Sequence, residues 1–403
     1  MAMNTSLGRP KFFSAAGYLS IMLSGLLIAG CSGDGGGVLD DGEDPGSQGG
    51  NGNGLNPGLP GALMLDGKLV DLASGSTSVP VGLGRGGDRL VTPLPDRSEY
   101  VELVDECEFD FQSARDISCI VLWDENGVKT AEFLTRRDTL DRLPEVSPDA
   151  STFVIFEENA QRNMVILDRS PAIINSTRDD VSDASWAPDG SLYYVSEDRV
   201  LRIPPGSLAD PSADQVVSTI EPGIDGFVSA LAVSPDGRQI AITRVTQSGA
   251  AGTDGTVWLM DIDGSNLRRF ARGPNTADGR SDLADNLREP VWSPDGRWIL
   301  VTLRPPNVGT SPTRPLFAKG LFALSAEASD QVVLPDGDGD RQIRIKTVCF
   351  EEAVNADVAI ELALDLAVRN GNEADAVRAE LAAVCQSEEP QNAPTRHPVT
   401  WVP

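Results

Sequence analysis

The sequence predicts an all-β fold, a six-bladed β-propeller. Three observations predict it: a strand-turn-strand phrase that recurs, a second hairpin that recurs with it, and a C-terminal strand that completes a blade begun near the N-terminus. The phrase is clearest at Val291-Trp292-Ser293-Pro294-Asp295-Gly296. It returns as Ala232-Val233-Ser234-Pro235-Asp236-Gly237 and as Ser185-Trp186-Ala187-Pro188-Asp189-Gly190. Looser copies read Val146-Ser147-Pro148-Asp149-Ala150 and Thr92-Pro93-Leu94-Pro95-Asp96-Arg97. The copies follow one another at intervals of about 40 to 60 residues, a period typical of propeller blades.

Each part of the phrase has a mechanical reason. An apolar strand must stop and reverse: Pro presets φ for the turn, Asp bonds its own following backbone, and Gly accepts φ > 0. Asp96, Asp149, Asp189, Asp236 and Asp295 are therefore read as structural residues of the repeat turn. The chain then returns as a second strand, such as Gln239 to Val245 or Trp298 to Leu303.

The phrase resembles the WD40-like repeat of TolB-type β-propellers, whose blades begin W-S-P-D-G. The resemblance runs from about residue 92 to 303 and implies the fold. It also implies a role in assembling or maintaining the cell envelope. TolB is soluble and carries a separate N-terminal domain that has no counterpart in this sequence, so a place in the Tol-Pal machinery does not follow.

The second hairpin gives the blade count. Its leading strand appears six times: Lys68 to Leu72, Ile120 to Asp124, Met164 to Asp168, Arg199 to Ile203, Thr256 to Asp261 and Gly320 to Leu324. The first hairpin has five internal copies, and the sixth lies at the far end of the chain. There Pro398-Val399-Thr400-Trp401-Val402-Pro403 aligns with the strand before Pro294. Gly61 to Leu65, Lys68 to Leu72 and Val79 to Leu83 read as second, third and fourth strands without a first. The C-terminal strand is thus expected innermost in the N-terminal blade, a 3+1 closure that removes the ring's open edges.

The segment between Cys349 and Cys385 breaks the β pattern. Ala, Leu, Glu and Asp dominate, Asn355 and Asn372 can cap helices, and Gly371 can stop the first. It reads as a helical hairpin inserted at about residues 349–386 and clamped by a disulfide.

The N-terminus supplies an address. Residues 1–30 carry Arg9 and Lys11, no acid, and an apolar run from Phe12 to Gly30, the pattern of a secretory signal. The run ends Leu27-Ile28-Ala29-Gly30-Cys31, which resembles the lipobox of bacterial lipoproteins and implies cleavage before a lipidated Cys31. Several acyl chains on one residue anchor a protein durably. The sorting rule that comes with the resemblance sends a chain with Ser32 after the cysteine to the outer membrane. Residues 31–60 are rich in Gly, Asp, Asn and Ser and read as a flexible tether, with a root-mean-square span of about 30 Å. The propeller is assigned to residues 61–403.

Cysteine usage agrees with an oxidising compartment. With Cys31 taken by lipid, Cys107 pairs locally with Cys119 and Cys349 with Cys385, each bridge contributing about 3 to 4 kcal/mol. The formal net charge is −27, and two units more negative once the leader's Arg9 and Lys11 are removed. A chain so acidic is repelled by nucleic acid, which is excluded as a partner. Contact with the membrane is expected through the lipid alone, and the propeller is expected to be a monomer.

The residues give little catalytic chemistry. His397 is the only histidine, directly before the closing strand, so no Ser-His-Asp or Cys-His arrangement stands out. No Gly-x-Ser-x-Gly elbow is present, and Gly84 to Gly87 lack the context of a phosphate loop. No cofactor is expected, with one candidate exception. Asp336, Asp338 and Asp340 alternate like ligands of a calcium loop, although Thr347 stands where the bidentate Glu belongs. Asp105, Glu106, Glu108 and Asp110 form a second acidic cluster. The function expected is a non-catalytic module, lipid-anchored at the outer membrane, that binds envelope proteins or an envelope polymer. The alternative is a hydrolase or lyase using carboxylates in the propeller channel.

Overall fold

The computed structural model describes residues 59–65, 68–73, 77–78, 90–110, 115–134, 143–157, 163–169, 176–220, 226–247, 253–273, 286–304, 317–333, 342–350 and 399–403. Twenty-four of their 25 strands form six antiparallel blades of four; the other, Gln331–Val332, pairs parallel with Arg268–Arg272, and a parallel bridge from Gly255 to Asn286 joins the fifth and sixth blades. Blade 1 is Val399–Val402, Ala62–Leu65, Lys68–Asp71 and Thr77–Ser78, in spatial order. Blade 2 is Leu90–Pro93, Glu99–Asp110, Arg115–Asp124 and Lys129–Leu134. Blade 3 is Glu145–Val146, Thr152–Glu157, Asn163–Asp168 and Ser176–Arg178. Blade 4 is Val181–Trp186, Leu192–Ser196, Arg199–Ile203 and Gln215–Thr219. Blade 5 is Gly226–Val233, Gln239–Gln247, Thr253–Asp261 and Arg268–Arg272, and blade 6 is Asn286–Trp292, Trp298–Arg304, Phe317–Ser325 and Gln342–Phe350. Five of the six leading strands of the second hairpin fall within third strands, as the sequence predicts, and Lys68 to Leu72 overruns Lys68–Asp71 by one residue.

The ring closes through the two ends of the propeller sequence. Val399–Val402 pairs antiparallel with Ala62–Leu65, in the register Ala62 to Val402, Leu63 to Trp401, Met64 to Thr400 and Leu65 to Val399. The Trp401 indole N–H donates to the Pro60 carbonyl at 2.7 Å. Gly61 has φ +75°, and a Cβ there would lie 2.1 Å from the Val402 carbonyl oxygen, so the close approach of these two strands requires glycine. Leu59 is buried beside Leu63 and Trp401, so the folded body reaches into the stretch read from sequence as tether. Blade 1 differs in its last strand as well. The described outer strand is Thr77–Ser78, and the predicted Val79 to Leu83 lies outside the described residues.

Between neighbouring blades the facing apolar residues form one cluster each. Phe153 and Ile155 meet Leu103 and Ile120 between blades 2 and 3, and Phe156 and Met164 meet Val181 and Leu192 between blades 3 and 4. Val195 and Val200 meet Leu231 and Ile240 between blades 4 and 5, while Phe270 and Leu259 meet Trp292 and Phe322 between blades 5 and 6. Middle strands do not alternate, because each blade packs both faces, which is why Thr152–Glu157 and Leu192–Ser196 are buried throughout.

The repeat turn is built alike in all five copies. The Asp96, Asp149, Asp189, Asp236 and Asp295 carboxylates each accept from the backbone N–H two residues on, at 2.9 to 3.1 Å. Ser147, Ser234 and Ser293 add a second lock: each hydroxyl donates to its turn Asp at 2.7 Å and accepts the N–H that opens the return strand at 2.9 Å. The glycine position has φ +81° at Gly190, +67° at Gly237 and +70° at Gly296. In the two degenerate copies Arg97 and Ala150 hold the same conformation at φ +58° and +57°. A left-handed residue with a Cβ costs about 1 kcal/mol relative to glycine. Ala150→Gly is therefore expected to raise the free energy of unfolding by about that amount, read as a higher midpoint of denaturant unfolding, and an unchanged or lowered midpoint would count against this reading of the turn.

No α-helix occurs among the described residues; the one helical turn is a 3-10 segment at Pro211–Ala213. Cys349 lies on the outer strand of blade 6. Phe350 continues that strand, so the described start of the predicted helical hairpin is β, and residues 351–386 lie outside the described residues.

Candidate functional site

The inner strands wall a central cavity of about 440 Å³. Blade 3 contributes Glu145, blade 4 Asp183, blade 5 Ser229, blade 6 Glu289 and Trp292, and the closing strand of blade 1 Trp401. The inner strands of blades 4, 5 and 6 share a device that shapes this wall. Each slips register by one residue against its second strand, between Val181 and Asp183, Val228 and Ala230, and Arg288 and Val291. Such bulges bend the strand and re-aim side chains. Asp183 and Glu289 stand at the same distance from their turn prolines, Pro188 and Pro294.

Part of this polar wall is spent on structure. The Asp183 carboxylate accepts from the Leu231 backbone N–H at 2.9 Å, and the Ser185 hydroxyl accepts from that of Val233 at 3.2 Å. Both bonds tie blade 4 to blade 5. The Trp292 indole donates to the Ala232 carbonyl at 3.0 Å and ties blade 6 to blade 5 in the same way. Glu289 differs: it has φ +54°, and its Oε2 is buried without a hydrogen-bond partner among the described residues. With Glu145, Asp183 and Glu289 against Arg288, the residues lining it carry more carboxylates than cations, and two tryptophans, Trp292 and Trp401, are among them. That combination suits a cationic group.

The strongest polar cluster elsewhere is structural. Arg178 leaves the last strand of blade 3 and forks onto Asp214 of blade 4, Nε to Oδ2 at 2.5 Å and Nη2 to Oδ1 at 2.9 Å. The Tyr194 hydroxyl donates to Asp214 Oδ2 at 2.7 Å, and Ser176 also accepts from Arg178. The two charged side chains are only 6% and 9% exposed. Burial pulls the Arg178 guanidinium down, but the Asp214 hydrogen bond and charge outweigh it and raise it overall. Burial, reinforced by Asp214, pushes the Tyr194 phenol well above its usual range.

The residues singled out from the sequence are dispersed. The turn aspartates sit at the ends of the inner strands. Asp149 is held below the usual carboxylate range by the Ser147 and Ser151 hydroxyls, and Asp96 by Ser98. At Asp189 burial works upward, and the Ser191 bonds and Arg202 outweigh it to leave the carboxyl lowered. Cys119 is fully buried opposite Val104, and Cys107 lies on the adjacent strand at the register shift between Val104 and Glu108. Asp105, Glu106, Glu108 and Asp110 share that strand, their side chains outside the description. Cys31, Asp336, Asp338, Asp340, Cys385 and His397 lie outside the described residues. Among those described, no three His, Cys, Asp or Glu side chains are grouped to hold a metal ion. No described helix is long and apolar enough to cross a membrane. Sequence reasoning missed Glu289, although aligning the repeats on their turn prolines pairs it with Asp183.

No family model matches the chain, and no curated protein matches it. Among solved structures it is similar to TolB from Acinetobacter baumannii, with 16% identity and a TM-score of 0.40, covering 69% of this chain and 63% of that one. The chain thus spans less than two thirds of that TolB. It is similar also to a TolB candidate from Agrobacterium tumefaciens (14% identity, TM-score 0.41, 64% of this chain and 80% of that one). A third is dipeptidyl peptidase 4 from Porphyromonas gingivalis (12% identity, TM-score 0.38, 66% of this chain and 41% of that one). These likenesses carry no argument about function, and it is the pairing of its own strands that makes this chain a six-bladed β-propeller.

Proposed function

We propose that the protein is a lipid-anchored propeller of the bacterial cell envelope that works by binding a protein or an envelope polymer, without turning over a substrate. The observation that carries this reading is the joining of a closed ring to the leader Leu27-Ile28-Ala29-Gly30-Cys31 and a Gly-rich tether. A ring of this kind holds its faces rigid, and a tether of about 30 Å gives it reach from the membrane. Cys31 carries the lipid, Ser32 directs the chain to the outer membrane, and the propeller is monomeric. The compartment also suits bridges between Cys107 and Cys119, on adjacent strands, and between Cys349 and Cys385.

The test follows the full chain in cells supplied with labelled palmitate. The expected result is label on the wild-type protein and recovery with outer membranes, with Cys31→Ser unlabelled and soluble. A wild-type chain that is soluble and unlabelled would contradict the anchor. Crosslinking in intact cells, followed by capture, should recover one envelope component with the wild type and lose it with Cys31→Ser.

A second reading, carboxylate chemistry in the channel, is supported by Asp183 and Glu289 lining one cavity with Trp292 and Trp401. A partner captured equally well by Asp183→Asn and Glu289→Gln favours the binding reading. Turnover of an envelope saccharide that both substitutions abolish favours the enzyme.

A further inference from the structure

We propose that the central cavity binds a small organic cation, an ammonium group on an apolar body, with Glu289 as its counter-ion. Three observations converge on this residue, and none of them is required by the interaction role proposed above.

The first is conformational. Glu289 has φ +54° and is followed by Pro290. A side-chain-bearing residue rarely takes this conformation, and one before proline is steered towards extended backbone. The conformation accompanies the bulge between Arg288 and Val291; the bulges of blades 4 and 5 lie about one residue further from their turn prolines and carry no strained glutamate. Local strain of this kind collects where a side chain must point somewhere particular.

The second is electrostatic. Glu289 Oε2 is buried with no hydrogen-bond partner among the described residues, whereas Asp183, its counterpart in blade 4, spends its carboxylate on the Leu231 N–H. A buried carboxylate oxygen left without a partner is unfavourable, and an N–H donor that displaced the atoms covering it from the cavity would relieve it.

The third is the shape and chemistry of the surroundings. The cavity, about 440 Å³, is of small-molecule size, and the residues lining it include Leu231, Leu300 and Leu321 with Trp292 and Trp401. Aromatic faces attract cations, and the aliphatic wall suits an apolar body. A hard divalent ion asks instead for six or more oxygen ligands, and no group of three acidic or metal-ligating side chains is assembled among the described residues.

Phenethylammonium chloride, with phenethyl alcohol as its uncharged isostere, is the probe pair, read by isothermal titration against the purified full-length protein. The expected result is saturable binding of the amine with a dissociation constant near the millimolar range. Glu289→Gln should weaken it roughly tenfold or more. The alcohol should bind no better than the amine does to that variant. Glu289→Gly removes the strain and the carboxylate together, so it should melt at a higher temperature than the wild type and fail to discriminate amine from alcohol. That melt also shows that lost binding is not lost folding. Equal binding of amine and alcohol by the wild type would overturn the proposal, as would no heat from the amine at concentrations well above the millimolar range. Calcium chloride binding that Glu289→Gln abolishes while the amine gives none would also overturn it, and would assign the site to a metal.

Discussion

A chain ending at Gln391 should lose its cooperative thermal transition. The missing residues include Val399–Val402, whose removal strips Ala62–Leu65 of its inner partner and exposes Leu63 and Met64, both essentially buried in the intact ring. Trp401 and Val402 are 6% and 2% exposed, and burying each such side chain contributes about 1.5 to 3 kcal/mol. Added to the unmade ladder, that loss is of the same order as the whole stability of a domain, about 5 to 15 kcal/mol. Gly61→Ala is the single-residue version. Its Cβ would meet the Val402 carbonyl oxygen at 2.1 Å in a left-handed conformation, so the closing strand must move or the turn must strain. The expected cost is about 2 kcal/mol or more. Gly296→Ala, with φ +70° but its nearest neighbour at 3.6 Å, is the control that separates backbone strain from the clash and should cost less. Circular dichroism melts of the three chains decide the matter, and a truncated chain that melts like the full one would show that the ring does not depend on its last strand.

Arg178→Met should destabilise the propeller by about 3 to 5 kcal/mol, on the order of 10 °C in melting temperature. The guanidinium alone does not explain so large an effect. Asp214, 9% exposed, would be left with the Tyr194 hydroxyl as its one remaining described donor. An uncompensated buried charge costs more than the intact pair contributes. Removing both charges, as in Arg178→Met with Asp214→Leu, should therefore recover most of the loss. Denaturant melts of the two single variants and the double variant measure this coupling. Additive losses would show that the two side chains do not act as a unit.

These two features differ in how far the sequence reveals them. The turn at Asp295 is legible because its chemistry is local: Ser293, Asp295 and the Arg297 N–H bond one another within a few residues, so the motif carries its geometry with it. The closure is legible for a related reason, since Trp401 repeats the setting of Trp292 and an unfinished phrase implies a strand that completes it elsewhere. The Arg178–Asp214 pair is not legible. Its partners stand 36 residues apart in different blades, and no local pattern marks either. Glu289 is intermediate. Its distance from Pro294 is written in the repeat, but the bulge and the positive φ that direct it to the cavity arise from strand pairing. Blade 1 also hides its edge, because a two-residue strand such as Thr77–Ser78 has no periodicity to detect.

The central claim, that the propeller is locked by joining the two ends of its sequence, is tested most directly by hydrogen exchange on the intact protein. Peptides covering Ala62–Leu65 and Val399–Val402 should exchange slowly and together, at a rate set by opening of the ring, and Gly61→Ala should accelerate both by the same factor. Exchange of Val399–Val402 at the rate of unstructured chain, while Ala62–Leu65 stays protected, would contradict the closure.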